Sequence, residues 1–105
     1  MGVTPLAIAW AAPAEASLDR ILSYIEAENP AVARKLWGRL MEALEQAAAF
    51  PELDPHIPDL SRAYRALLAV RPFRLVYRTE GTVLRVIAVM RQEQDFDPQR
   101  FLEEA

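Results

Sequence analysis

The arginines are the residues whose type and spacing most clearly indicate a chemical role in this sequence. From residue 62 to residue 91 there are seven arginines against one acidic residue, Glu80, a local balance of +6. A guanidinium binds carboxylate or phosphate through two parallel hydrogen bonds, which the ammonium of Lys cannot match. The segment therefore indicates an anionic partner, either a carboxylate-rich protein or a phosphate-bearing molecule. Its arginines are Arg62, Arg65, Arg71, Arg74, Arg78, Arg85 and Arg91.

Proton-transfer chemistry has fewer candidates. Cleavage of RNA through its 2′-hydroxyl needs a group that takes a proton, a group that gives one, and cations for the developing charge. His56 is the only histidine, and its place in a proline-rich segment favours an ordinary surface residue of a loop. If the protein cleaves RNA, the candidate catalytic residues are Arg65, Arg74 and Arg91, which would act through their charge.

Composition excludes several other classes of protein. The chain has no Cys and a single His, so it offers no disulfide framework and no zinc-thiolate site. We expect no metal, no cofactor and a reducing compartment, the cytoplasm. The net charge of −3 and the pI near 5.1 argue against an all-over nucleic-acid binder. No apolar run approaches the roughly 20 residues of a membrane span.

The first half of the chain predicts one strand, two helices and a loop. Residues 6–10 form a short apolar run between prolines, which is typical of a strand. Residues 13–28 and 31–49 each carry an apolar stripe at helical spacing. Asn29-Pro30 separates them, and so short a joint predicts an antiparallel helical hairpin. Three prolines in residues 50–61 predict a stiff loop.

The second half predicts a three-stranded meander. The hydrophobic period changes to two over residues 63–71 and again, after Pro72, over residues 73–78. Thr79-Glu80-Gly81 is typical of a hairpin turn. Residues 82–91 are apolar at nearly every position, as in a strand covered on both faces. Asp97-Pro98 resembles the start of a short terminal helix.

These elements predict a single α+β domain that spans residues 1–105. In it the helical hairpin packs on a small antiparallel sheet, which combines the N-terminal strand with the C-terminal meander and is followed by the short helix.

One face of the last strand mixes arginine with apolar residues, so that face is partly apolar. That face either contacts the tail of the chain or is a docking surface for another chain, since a contiguous exposed apolar patch usually marks a partner site. The members of the mixed face are Val83, Arg85, Ile87, Val89 and Arg91.

We place Arg65 on the solvent face of the meander, so its replacement is expected to change stability little.

Several local phrases follow one another at characteristic spacings. In the first half they are Trp10, residues 13–18, Ile21, Tyr24-Ile25, and Asn29-Pro30 followed by Ala33. In the second half they are Arg65, residues 73–78 and residues 84–89. Each phrase alone is a short apolar pattern. Their succession from about residue 6 to residue 95 resembles the RelE/ParE superfamily, the toxins of type II toxin-antitoxin systems, and ParE-like toxins most of all.

The resemblance implies a toxin that binds its target. A ParE-like toxin inhibits DNA gyrase without catalysis, arrests growth, and is associated with plasmid stabilisation. Its cognate antitoxin holds it inactive in a hetero-oligomer, through a flexible segment that folds on the toxin. The residues that would bind the target or the antitoxin are Arg65, Arg74, Arg78, Arg85, Ile87, Val89 and Arg91.

Two alternatives stay open. One is a RelE-like, ribosome-dependent endoribonuclease that cleaves messenger RNA, and the other is a decayed, non-toxic family member that acts only as an interaction protein. RelE-like ribonucleases tend to carry further basic residues in the meander and a tyrosine in the tail. This chain has Leu67 at one such place and no Tyr after Tyr77. The acidic overall balance and the scarcity of proton carriers also favour the gyrase inhibitor.

Overall fold

Two helices and four strands make up the described part of the chain, residues 4–58 and 60–92 of a computed structural model. The predicted order of strand, helical hairpin and meander is confirmed, as is the α+β class. The terminal helix predicted after Asp97-Pro98 lies outside the described residues. In chain order the elements are β1 (Ala7–Trp10), α1 (Ala12–Glu28), α2 (Pro30–Ala49), β2 (Tyr64–Leu67), β3 (Phe73–Glu80) and β4 (Val83–Arg91).

A single residue, Asn29, joins the two helices. Its backbone N–H donates to the carbonyl oxygen of Ile25 at 2.7 Å and so caps the end of α1. Its side-chain oxygen accepts from the N–H of Val32 at 3.3 Å and so caps the start of α2, where Pro30 has no N–H that needs a partner. Neither of these helices, the two in the described ranges, is long and apolar enough to cross a membrane.

The four strands form one mixed sheet in the order β1-β4-β3-β2. The meander is antiparallel, as predicted, because β3 pairs antiparallel with both of its neighbours. The N-terminal strand joins it differently: β1 pairs parallel with β4, with Ala7 opposite Val83 and Trp10 opposite Val86. The sheet as a whole is therefore mixed and not purely antiparallel, and β4 is a central strand.

The strand predicted over residues 63–71 is shorter in the structure. β2 ends at Leu67, and residues 68–72 turn the chain towards β3, with the N–H of Phe73 donating to the carbonyl oxygen of Val70 at 2.8 Å. Leu67 and Val70 are both buried although they are three residues apart. Residues 68–72 therefore form a turn in which Val70 packs on the core, whereas Leu68 is exposed.

A β-bulge interrupts the pairing of β3 with β4. Val76 lies opposite Ala88, but the next residue, Tyr77, lies opposite Val86, which leaves Ile87 without a direct partner in the ladder. An extra residue in one strand of an antiparallel pair shifts the alternation of the side chains that follow it. The bulge therefore decides which side of the sheet each residue of β4 after Val86 faces.

The main core lies between the helical hairpin and one face of the sheet. It joins Leu18 of α1 and Leu40 and Leu44 of α2 to strand residues such as Leu75 and Tyr77. The opposite face of the sheet carries a smaller cluster of Ile57, Ala66 and Val76, against which Tyr64, Ala88 and Met90 pack. We call these the helix-covered face and the open face.

Candidate protein-binding surface

Three of the predicted arginines lie together on the open face. Arg74 and Arg78 alternate along β3 with Leu75 and Tyr77, which belong to the main core. Arg85 of β4 lies directly opposite Arg78, and residues opposite each other in a ladder share a face. All three are half-buried, so their aliphatic parts cover the sheet. We call Arg74, Arg78 and Arg85 the arginine face.

Glu80 bridges two members of the arginine face. Its Oε1 accepts from Nε of Arg85 at 2.9 Å, and its Oε2 accepts from Nε of Arg78. These hydrogen bonds, first that of Arg85 and then that of Arg78, hold the pKa of Glu80 below its ordinary value. The side chains of all three stay about one-third exposed, at 38%, 33% and 37% for Arg78, Glu80 and Arg85. A partner can therefore reach both guanidinium groups.

Tyr64 completes this cluster from the neighbouring strand β2. Nη1 of Arg78 donates to the hydroxyl of Tyr64 at 3.0 Å, and Cζ of Arg78 lies 5.7 Å from the centroid of the Tyr64 ring. Sequence reasoning missed the roles of Tyr64 and Glu80. Glu80 lies two residues from Arg78 on one strand face, a local signal that could have found it. The contribution of Tyr64 depends on how β2 pairs with β3.

Arg65 occupies a different environment from the arginine face. It lies opposite Tyr77 and therefore on the helix-covered face, where its Nη1 donates to the carbonyl oxygens of Glu52 (3.2 Å) and Asp54 (2.5 Å). The expectation that Arg65 is a plain solvent-face residue is wrong. It ties the loop after α2 to the edge of the sheet.

A buried tyrosine of β3 also forms a hydrogen bond to the loop that follows α2. The hydroxyl of Tyr77, a residue with no exposed surface, donates to Oδ2 of Asp54 at 2.7 Å. Burial and then this hydrogen bond raise the pKa of Tyr77 well above its ordinary value. Asp54 is thus held through its backbone by Arg65 and through its side chain by Tyr77.

The mixed face predicted on β4 is divided by the bulge. Val89 turns into the main core and is only 6% exposed. Arg91 follows it to the helix-covered side, where its Cζ lies 5.7 Å from the centroid of the Tyr24 ring on α1. Arg85 stays on the open face, and Ile87 is the extra residue of the bulge. The prediction that these residues share one face is wrong, because it assumed unbroken alternation.

The structure does not assemble the arginines proposed for catalysis. Arg74 lies on the open face, whereas Arg65 and Arg91 lie on the helix-covered side of the sheet. His56 is exposed and pairs through its backbone with Arg65. Within residues 4–58 and 60–92, no three His, Asp or Glu side chains are grouped as a metal ion would require. The arginines that the structure does bring together, Arg74, Arg78 and Arg85, can bind an anionic group, either a carboxylate or a phosphate.

The fold is similar to that of known proteins. The model of the family described as "ParE toxin of type II toxin-antitoxin system, parDE" matches residues 8–96. A solved structure, "Chromosomal ParDE TA system from P. aeruginosa", is similar with a TM-score of 0.68 and 22% sequence identity, and the match covers 84% of this chain and 97% of that one. No curated protein matches the chain.

The family match spans the helical hairpin and all of the sheet except Ala7, the first residue of β1, and it includes the arginine face. The structural similarity agrees with it at the level of the fold. The chain therefore belongs to the ParE toxin family of type II toxin-antitoxin systems.

Proposed function

We propose that this toxin acts by binding, that its target is DNA gyrase, and that a cognate antitoxin neutralises it in the cytoplasm by placing an acidic segment on the arginine face. The observation that carries the antitoxin site is the bridge made by Glu80. A carboxylate already sits between Arg78 and Arg85 at hydrogen-bonding distance, and a Glu or Asp of the antitoxin would find the same two guanidinium groups.

Several observations favour binding over catalysis. The three arginines considered for RNA cleavage do not converge, and the single histidine is an exposed loop residue. General acid-base catalysis contributes about 10²- to 10⁴-fold, and a ribonuclease that acts through arginine charge alone forgoes that factor. A binding inhibitor needs only a rigid surface with arginine and aromatic anchors. The described surface offers those anchors in Arg78 and Tyr64.

The target is tested with the purified toxin, freed from its antitoxin. Supercoiling of relaxed plasmid DNA by gyrase should be inhibited, and ribosome-bound messenger RNA in a translating extract should stay intact. Codon-positioned cleavage with normal supercoiling would replace the gyrase proposal by the ribonuclease. If neither activity appears and induction does not slow growth, the chain is a non-toxic member of the family.

The antitoxin site is tested by charge reversal. Co-expression with the protein encoded by the adjacent reading frame should yield a stable complex. The Arg78→Glu, Arg85→Glu double variant should lose at least about tenfold in affinity, which corresponds to about 1.4 kcal/mol. Arg20→Glu, Arg34→Glu is the matched control, because both residues are exposed on the helices. Equal losses in the two variants would show that net charge matters and that the arginine face does not.

A further inference from the structure

One row of side chains on the open face already forms a complete site for a carboxylate. Tyr64 of β2 lies opposite Arg78 of β3, which lies opposite Arg85 of β4, so the three side chains cross the sheet next to one another. Glu80, two residues after Arg78 on the same face of β3, places one carboxylate oxygen on the Nε of each arginine. We call this arrangement the carboxylate site. Its ligand belongs to the chain itself.

Glu80 lies where its side chain can leave this site without disturbing the sheet. It is the last residue of β3, and the turn to β4 begins at the next residue, Gly81, whose φ is +60°. Its side chain is 33% exposed. Among the described residues, the groups that hold its carboxylate are Arg78 and Arg85. Ion pairs as exposed as these contribute little to stability, so the fold tolerates their loss.

Arg78 has a second support that does not depend on Glu80. Its Nη1 donates to the hydroxyl of Tyr64 at 3.0 Å, and its Cζ lies 5.7 Å from the centroid of the Tyr64 ring. The hydrogen bond and the cation–π contact both restrict the guanidinium. A side chain that is already ordered loses less conformational freedom when it binds a partner. Tyr64 therefore prepares Arg78 to bind an anion, whether or not Glu80 is in place.

A carboxylate that is resident in the site competes with every other anion for the two arginines. A group tethered to the site by a short linker acts at an effective concentration on the order of millimolar. A single anion at micromolar concentration does not displace such a group. An acidic segment that also contacts other parts of the open face is itself tethered, so it competes on equal terms. Binding beside Glu80 would bring two carboxylates close together, which like-charge repulsion disfavours.

We propose that Glu80 is an intramolecular competitor, which a carboxylate of the partner replaces between Arg78 and Arg85. Tyr64 is the positioning residue that keeps Arg78 directed at the site during this exchange. The identity of the partner, the antitoxin, rests on the proposed function. The exchange itself is a property of these four side chains and is measured with a peptide alone.

The first experiment distinguishes replacement of Glu80 from binding beside it. The full chain is made by cell-free synthesis with isotope labels in its glutamate carboxyl groups, and the probe is a fluorescent glutamate-rich peptide. When the peptide binds, the NMR signal of the Glu80 carboxyl should move to the position of an exposed glutamate. The signal of Glu45, exposed on α2, should not move. A Glu80 signal that stays in place while the peptide binds would overturn the proposal.

Arginine side-chain signals provide the complementary readout. The Nε–H groups of Arg78 and Arg85 should be protected from exchange with water in the free chain, because both donate to Glu80. In Glu80→Gln this protection should fall, and the peptide should restore it. Protection that the peptide does not restore would mean that its carboxylates do not take the place of Glu80.

A double-mutant cycle tests the competition. Glu80→Gln should raise the affinity for the peptide, and this gain should disappear when Arg78→Gln and Arg85→Gln are also present. Glu45→Gln changes the net charge by the same amount and is the matched control, which should alter the affinity little. An equal gain from Glu45→Gln, or a gain that persists without the two arginines, would overturn the proposal.

Tyr64→Phe tests the positioning residue, because it keeps the ring and removes the hydroxyl that accepts from Arg78. The affinity for the peptide should fall about twofold or more, the value of a typical hydrogen bond. It should not fall further in Arg78→Gln, where there is no guanidinium to hold. Tyr24→Phe, at an exposed tyrosine of α1, should leave the affinity unchanged. A loss from Tyr64→Phe in both backgrounds would contradict its role.

Failure of this proposal is distinguishable from failure of the proposed function. If the peptide replaces Glu80 but the Arg78→Glu, Arg85→Glu variant keeps its antitoxin, the antitoxin binds elsewhere and the exchange still holds. If the peptide does not bind the unaltered chain, the exchange is overturned, whatever the antitoxin does.

Discussion

Residues 40–61 and residues 62–91 pack against each other and carry opposite charge. The first segment has five acidic residues and no Lys or Arg, whereas the second has seven arginines and one acidic residue. The arginine face of the second segment lies on the open face of the sheet, whereas Phe50 and Leu53 of the first line a cleft of about 150 Å³ that also includes Leu67, on the helix-covered side. The difference teaches that neighbouring segments of one small fold can carry opposite charge.

The two segments nevertheless share structural residues. Leu67 belongs to the main core and to the floor of the cleft, and Arg65 and Tyr77 reach from the sheet to the loop of the acidic segment. The comparison predicts that these shared residues support both surfaces, while the exposed residues of each segment act on one surface only. Each variant below tests one part of that statement.

Leu67→Ala should have the largest effect, because it truncates a side chain that is 1% exposed. We expect the free energy of unfolding to fall by about 2–5 kcal/mol, as it does for buried leucines elsewhere. Denaturant titration measures this change. Leu68→Ala, at the next residue and 44% exposed, should stay within about 0.5 kcal/mol of the unaltered chain. Similar losses in both variants would mean that residues 67 and 68 are equally important to the core.

Tyr77→Phe should rank second. It removes the hydrogen bond to Asp54 and leaves that carboxylate short of a donor, at a cost of about 1–2 kcal/mol. The raised pKa of Tyr77 means that the neutral form stabilises the fold below pH about 10, the ordinary tyrosine value. That contribution is lost as the pH rises towards the folded-state pKa.

The pH dependence of thermal unfolding tests this prediction for Tyr77. Above pH about 10 the melting temperature of the unaltered chain should fall more steeply than that of Tyr77→Phe. Tyr24→Phe is the control, because Tyr24 is 65% exposed, and its profile should follow that of the unaltered chain. If the melting temperatures of all three proteins depend on pH in the same way, the hydrogen bond of Tyr77 to Asp54 does not stabilise the contact between the two segments.

Arg65→Met should cost about 1 kcal/mol, the net value of a typical hydrogen bond, and should act mainly on the acidic segment. Without the guanidinium, the loop around Leu53 opens more often, so the amide hydrogen of Leu53 should exchange faster with solvent. Hydrogen exchange measures this directly. Arg62→Met, at an exposed arginine, should leave that exchange unchanged, and an equal acceleration in both variants would contradict the role given to Arg65.

Glu80→Gln should have the smallest effect on stability and should act on the arginine face alone. Its depressed pKa means that its ion pairs stabilise the fold above pH about 4.3, the ordinary glutamate value, and that this contribution is lost as the pH falls below it. At neutral pH the melting temperature should change little, because exposed ion pairs contribute little.

The same variant should sharpen binding at the arginine face. Removal of the bridging carboxylate frees Arg78 and Arg85 for a partner, so affinity for a fluorescent glutamate-rich peptide should rise by a factor of about 2 or more and become more salt-dependent. Affinity for a matched peptide with lysines in place of the glutamates should not change. A rise for both peptides would show that the effect does not come from the charge of the arginine face.

Much of the fold could be predicted from the sequence because its signals are local. Asn29-Pro30 places the joint of the helical hairpin to within a residue, since an Asn cap and a first-turn proline act on their own neighbours. The change of hydrophobic period from helical spacing to two likewise places the meander. The concentration of arginines after residue 61 is also a property of the sequence, and it pointed to the strands that carry the arginine face.

Other features were decided only by the tertiary structure. The parallel pairing of β1 with β4 leaves no mark in the short run Ala7–Trp10, because alternation is the same for both directions of pairing. The bulge at Ile87 depends on the register between two strands, and it sends Val89 and Arg91 to the side opposite the predicted one. Arg65 became a structural residue because a loop more than ten residues earlier in the chain folds back over it. Sequence fixes the order and type of these side chains, but the face that each one occupies follows from long-range pairing, which no local pattern encodes.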